Sequence, residues 1–126
     1  MKTLLESIIG RKGASSITKQ SLREGDVVES AAGVFFVFVP KYYYDKYDAF
    51  ITSVGMFGKF QIVANNTTGW DDNLKSISDN DRFDIVRIYR KPETRKFLSM
   101  DWRDPIKLKD YVNWIIDNVK PININQ

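Results

Sequence analysis

Residues 34–39, VFFVFV, decide the fold of this chain. A run of valine and phenylalanine with no polar interruption makes a strand covered on both faces, because a strand with one wet face alternates. Two arrangements cover both faces: the strand crosses the interior of a strongly curled small sheet, or it lies beneath a helix. Pro40 ends the run, since it cannot donate a ladder hydrogen bond. Outward from this centre, strand patterns fill residues 25–91. Residues 26–30 (DVVES) make a strand after the Gly25 turn, and Ala32-Gly33 turns the chain into the central run. Further strands are expected around 50–54 and at 59–64 (KFQIVA), joined by Gly55-Met56-Phe57-Gly58 as a glycine-bounded hairpin connection. The last, 84–89 (DIVRIY), alternates, with Ile85, Arg87 and Tyr89 on one face and Val86 and Ile88 on the other. The expected fold class is α+β, mainly β. Five short strands suit a small barrel, whose closure removes the edges that an open sheet exposes.

Both flanks read as helical. Leu4, Leu5, Ile8 and Ile9 recur at helical spacing, Thr3 and Glu6 have the form of a capping box, and Gly10 stops the helix. Residues 11–20 are polar and small, a linker that leaves this helix either to cover an open end of the main domain or to serve as an oligomerisation arm. Residues 65–83 form a long loop rich in Asn, Asp, Thr and Ser; Trp70, Leu74 and Ile77 predict one or two helical turns there, pinned by the tryptophan. At the other end Asp104 is placed to cap a helix and Pro105 fits its first position. Leu108, Tyr111, Val112, Ile115, Ile116 and Val119 form its apolar stripe, and Pro121 terminates it. The organisation expected is an N-terminal helix and linker (1–20), a small β-barrel (21–96) and a C-terminal helical extension (97–126), one globular domain in all.

Composition excludes much chemistry. The 126 residues contain no cysteine and no histidine, so there is no Cys- or His-ligated zinc, no thiol nucleophile, no imidazole base and no disulfide. Carboxylate, Lys, Tyr, Ser and Thr chemistry remains, and none of it stands in a recognisable catalytic spacing. Asp79-Asn80-Asp81 has the opening form of a calcium loop, but Asp84 occupies the glycine position and Arg90 the final glutamate position, so this is no EF-hand. Turn-forming Asp and Asn account for the acidic loop, and no phosphate-cradling glycine motif occurs. The chain is expected to be no enzyme, with no catalytic residues, no metal and no cofactor. Apolar residues at 43% and charged residues at 28% make an ordinary globular balance, and a net charge of +3 points only faintly to polyanions. No apolar run has the length of a signal sequence core or a membrane span, so a cytoplasmic location is expected, and the sequons at Asn65 and Asn66 are discounted.

The strings Gly25-Asp26-Val27-Val28, Trp70-Asp71-Asp72-Asn73-Leu74 and Asp84-Ile85-Val86-Arg87-Ile88-Tyr89-Arg90 resemble small SH3-like barrel proteins of tailed bacteriophages, a family largely of unknown function. The resemblance covers residues 25–91 and carries over no functional residue. The insertion 41–48 and the C-terminal helix depart from the family pattern. What the resemblance implies is a five-stranded SH3-like barrel in a phage accessory or early protein that binds and inhibits a host macromolecule such as a defence-system component.

Three constellations are candidate surfaces. Lys41, Tyr42, Tyr43, Tyr44, Lys46 and Tyr47 (KYYYDKY) interleave aromatic faces with cations, a mixture that suits a host protein partner or stacked nucleobases; some of these tyrosines are equally suited to completing the core. Arg87, Arg90, Lys91, Arg95 and Lys96 form a basic strip for nucleic-acid contact, opposed by Asp71, Asp72, Asp79, Asp81 and Asp84 in the preceding loop. Leu4, Leu5, Ile8 and Ile9 would dock copies of the chain in an oligomer or virion. The preferred function is a non-enzymatic binding protein with a host protein partner; the alternatives are nucleic-acid or nucleotide binding and a structural component.

Overall fold

The computed structural model describes residues 17–42, 46–93 and 103–124. The N-terminal helix expected around Leu4–Ile9 lies outside them. Six antiparallel strands form one sheet: β1 (Val27–Ser30), β2 (Phe35–Val39), β3 (Ala49–Met56), β4 (Lys59–Asn66), β5 (Ile85–Tyr89) and β6 (Ile122–Asn123), with a single described α-helix, α1 (Pro105–Asn118), between β5 and β6. Their order across the sheet is β4-β3-β2-β1-β5-β6. The protein is therefore mainly β with a C-terminal helix, but it has six strands where five were expected. Among the described residues no ladder joins β4 to β6, so the sheet has two edges and is not a closed barrel.

Within the VFFVFV run, β2 begins at Phe35 and is covered on both faces, as its composition requires, while Val34 stays exposed ahead of it. Phe36 and Phe38 enter one apolar cluster with Val28, Phe50, Trp70, Leu74, Ile85, Ile88 and Ile124. Val37 and Val39 enter a second with Val27, Ala49, Ile51, Tyr89 and the α1 residues Leu108, Tyr111 and Ile115. One face thus lies beneath a helix and the other beneath the 67–84 loop. Asp104 Oδ1 accepts from the Ile106 and Lys107 amides, and Pro105 opens α1, as its sequence predicts. Tyr111, 1% exposed, donates its hydroxyl to the Gly25 carbonyl at the root of β1. Tyr111→Phe leaves that buried acceptor unpaired and is expected to cost about 1–2 kcal/mol in urea unfolding.

Two expectations need correcting. The face assignment of 84–89 fails because the β1–β5 register shifts between Glu29 and Ser30: Glu29 faces Arg87 and Ser30 faces Ile85, so Val86 is skipped. The bulge turns Ile85 and Ile88 into the same cluster, while Tyr89 joins the helix side. Nor does Trp70–Ile77 form helical turns. Short 3-10 turns occupy Thr67–Gly69 and Asp81–Phe83, and between them Trp70 bridges Ser76 while Asp71 Oδ1 accepts from the Asn73 and Lys75 amides. Leu74, at φ 65, points this tight loop into the core and is fully buried, whereas Ile77 is 68% exposed. Lys19 straps the loop from outside, its Nζ donating to the Thr67 and Trp70 carbonyls at 3.1 and 2.7 Å.

The β3–β4 hairpin is longer and tighter than expected. Its loop is only Phe57 and Gly58, both with positive φ (53 and 78), so Gly55 and Met56 belong to β3. Two successive left-handed residues make a type I′ turn, which Gly58 suits and Phe57 does not. Only the first three residues of β3 pair with β2, through Ala49, Phe50 and Ile51; from Thr52 to the tip the β3 ladder is to β4 alone, with Ile62 and Ala64 of β4 packed on the helix-side cluster.

Candidate functional site

The outer side of β4 is where the fold leaves backbone chemistry unused. The two-residue turn fixes Met56 and Lys59 as a hydrogen-bonded pair, and the alternation of an antiparallel ladder then points the N–H and C=O groups of Phe60, Ile62 and Ala64 away from β3. The same alternation is visible beyond the strand, where the Thr67 amide donates to the Asp48 carbonyl at 3.0 Å. Among the described residues nothing pairs with this outer edge. The opposite edge differs, because β6 covers β5 and the Ile124 amide donates to the Val86 carbonyl at 3.0 Å. β4 has eight residues, KFQIVANN, with one charge at its tip, no proline and no bulge, and so lacks the usual devices that protect an edge.

Beside the far end of β4 opens a cleft of about 400 Å³, lined by Phe36, Ala64, Asn65, Asn66, Gly69, Trp70, Ser76 and Phe83. Trp70 is held edge-on to Phe50, ring centroids 4.9 Å apart, and its Nε1 donates to the Phe83 carbonyl at 2.8 Å. Those two contacts fix one wall. Phe83, 44% exposed, stands at the rim. Asn66 Oδ1 accepts from the Thr68 amide, and Asn65 Nδ2 lies 3.5 Å from the Phe50 carbonyl. The lining therefore offers aromatic faces, two carboxamides and a hydroxyl, without a carboxylate or amine. It suits the side chain of a bound chain better than proton transfer or nucleophilic attack. At the other end of β4, Phe57 is 97% exposed, with Met56 and Phe60 exposed beside it and the Lys109 ammonium 5.4 Å above the Phe60 ring.

The residues singled out in the sequence fall elsewhere. Tyr42 and Tyr47 are half-buried and pack on the helix-side core, their rings 6.1 Å apart. The Tyr42 amide donates to the Tyr47 carbonyl at 2.7 Å, so the two ends of the insertion are stitched together. Lys41 and Lys46 are exposed, and Tyr43 and Tyr44 lie outside the described residues. Of the basic strip, Arg95 and Lys96 are likewise outside. Arg87 faces Glu29 at 3.2 Å, and Arg90 contacts Asp26 at 3.1 Å. Both arginines thus meet carboxylates before any phosphate, and the Lys91 amide also donates to Asp26. Two of the five cations of the basic run, Arg87 and Arg90, are thus paired with carboxylates of β1 and its approach. Glu29 also accepts from the Tyr89 hydroxyl at 3.1 Å; burial and that carboxylate raise the phenol above its ordinary range. The docking residues Leu4, Leu5, Ile8 and Ile9 lie outside the described residues. Among the described residues no cluster of acidic side chains is arranged to hold a metal ion, and no helix is long and apolar enough to cross a membrane.

Sequence reasoning missed the β4 edge, the cleft and Phe57. One local signal was present: Phe57 puts a large apolar residue beside Gly58 where a tight hairpin calls for Asn or Gly. Comparison with family models, characterised proteins and solved structures finds no match to this chain.

Proposed function

We propose that this chain is a non-enzymatic binding protein that captures an extended segment of a protein partner by strand addition along β4. The observation that carries this reading is the unpaired outer edge formed by Phe60, Ile62 and Ala64. An added strand gains main-chain hydrogen bonds there, and the adjoining cleft between Trp70 and Phe83 supplies a pocket for one of its side chains. The SH3-like character of residues 21–96 is part of the same proposal. It is supported by the β1–β4 meander with β5 returning beside β1, and by the two-sided burial of β2. The biological setting is that implied by the resemblance: a phage accessory or early protein acting in the host cytoplasm on a host protein, such as a defence component. Pairing of Arg87 and Arg90 with carboxylates is the reason for preferring a protein partner over nucleic acid.

The test uses Ile62→Pro. This substitution removes a donor that faces away from β3, so the β3–β4 ladder keeps its own hydrogen bonds. A protein retained from host lysate by the wild type after nuclease treatment is expected to be lost by a folded Ile62→Pro variant. Equal capture by both, or binding that nuclease abolishes, would rule out strand addition.

A further inference from the structure

We propose that two copies of this chain cap each other's β4 edge by antiparallel pairing centred on Ile62, seating Phe57 of each copy at the aromatic cleft of the other. This rests on the strand-addition reading and adds its regulation: an edge closed by a second copy cannot take a partner strand, so the monomer is the binding-competent form.

Three observations converge on a second copy as the occupant. β4 carries its only charge at Lys59 and nothing in its length to repel another strand. Pairing about a two-fold axis through Ile62 sets Ile62 against itself, Phe60 against Ala64, Gln61 against Val63 and Lys59 against Asn65 of the second copy. Large meets small, no like charges face each other, and Ile62, whose N–H and C=O already point outward, forms the central hydrogen-bonded pair. The contact is isologous, so it closes as a dimer rather than growing into a fibre.

The ends of the strand supply the third. In this register Phe57 of one copy stands level with Thr67 of the other, where β4 turns into the cleft wall built from Gly69, Trp70 and Phe83. Phe57 is 97% exposed at φ 53. A bulky side chain held in a left-handed turn and left in water has no role within its own subunit, and such strain is concentrated where contacts are made. An aromatic knob at one end of an open edge and an aromatic-walled cleft at the other are what a two-fold edge contact brings together.

Sedimentation velocity on the full chain over a wide concentration range is expected to show a monomer passing to a dimer. Phe57→Ser should weaken that association about tenfold or more without loss of folded signal. The chain has no cysteine, so Ile62→Cys introduces a single reporter. Opposed hydrogen-bonded residues lie about 5.5 Å apart at Cα, within disulfide reach, and mild oxidation should link this variant as a dimer while Ile106→Cys on α1 forms no covalent link. A monomer at every concentration overturns mutual capping, as does a dimer indifferent to Phe57→Ser and not linked through Ile62→Cys. If the monomer still captures a host protein in an Ile62-dependent way, strand addition stands and only the capping falls. A host protein retained by the reduced Ile62→Cys monomer and released by the linked dimer is the expected regulation; a host protein retained equally by the linked dimer overturns it, and a monomer that retains none leaves capping standing without the host-binding reading. Monomers whose Phe60, Ile62 and Ala64 amides resist hydrogen exchange would show that the chain covers its own edge, and both proposals would fall.

Discussion

Trp70→Ala will destabilise the protein by about 3–5 kcal/mol, a large part of the stability of a domain this size. Trp70 is 7% exposed and, among the described residues, is the one large side chain that the 67–84 loop and the sheet share through ring contacts. It stands edge-on to Phe50 at 4.9 Å and to Phe36 at 6.0 Å, contacts worth more than their buried area. Its indole N–H holds the Phe83 carbonyl, its own carbonyl accepts from Lys19, and its backbone bridges Ser76. Alanine removes the ring and frees the loop together, so the site cannot collapse neatly around the void. Urea unfolding should show a lower midpoint with an unchanged slope for Trp70→Ala, and a smaller loss for Trp70→Phe, which keeps a ring against Phe50. A Trp70→Ala cost below about 1 kcal/mol would mean that the loop does not anchor this face of the sheet.

How far the fold could be read depends on whether a residue's environment is set locally. The 34–39 run announces two covered faces by composition alone, and Asp104-Pro105 with the Leu108–Val119 stripe announces its helix, because capping and helical periodicity are local. β6 is different. Residues 122–123 are too few and too polar to declare a strand; they pair because α1 returns the chain to β5, where Ile124 drops into the phenylalanine core. The face assignment of β5 depended on unbroken alternation, and an extra residue within β5, Val86, left unpaired opposite the Glu29–Ser30 step of β1, broke it. Trp70 and Leu74 are four residues apart and both buried, which mimics a helix. The spacing comes instead from a tight loop in which Asp71 collects two amides and Leu74 takes a left-handed conformation.

The candidate site was less legible for a related reason. That β4 is an edge is a relation among strands, not a property of KFQIVANN, and it exists only because β5 pairs with β1 instead of β4. The tyrosine cluster drew attention by its composition, yet Tyr42 and Tyr47 close the base of an insertion against the helix-side core. The carboxylate partners of Arg87 and Arg90 were hidden for the same reason: Glu29 and Asp26 lie about sixty residues away in sequence and become their neighbours only when β1 and β5 pair.

The Asp26–Arg90 contact carries the second large effect. Asp26 is 1% exposed and accepts from the Arg23 amide at 2.8 Å, the Lys91 amide at 3.3 Å and Arg90 Nη2 at 3.1 Å, tying the start of β1 to the end of β5. Arg90 also donates to the Ser21 carbonyl, while its Nε is buried without a partner. Asp26→Ala removes the acceptor of all three donors and leaves a guanidinium beside an apolar void, so it should cost about 3–5 kcal/mol. Adding Arg90→Leu should recover part of that loss, because the stranded charge leaves with it.

The pH dependence of this group has a definite sign. Burial pushes the Asp26 carboxyl above the ordinary carboxylate range, and the Arg23 amide, the Arg90 guanidinium and the Lys91 amide pull it back only in part. The folded state then holds the proton more tightly than the unfolded chain. Its contribution to stability is fully present below the ordinary value of 3.8 and is lost as the pH rises through the raised value. Asp26→Asn cannot titrate, so the stability gap between wild type and this variant should narrow as the pH rises out of the acid range and stay constant towards neutrality. A gap that widened instead would mean that attraction to Arg90 outweighs the loss of hydration, and that the ionised pair, not the protonated acid, is the form the fold favours.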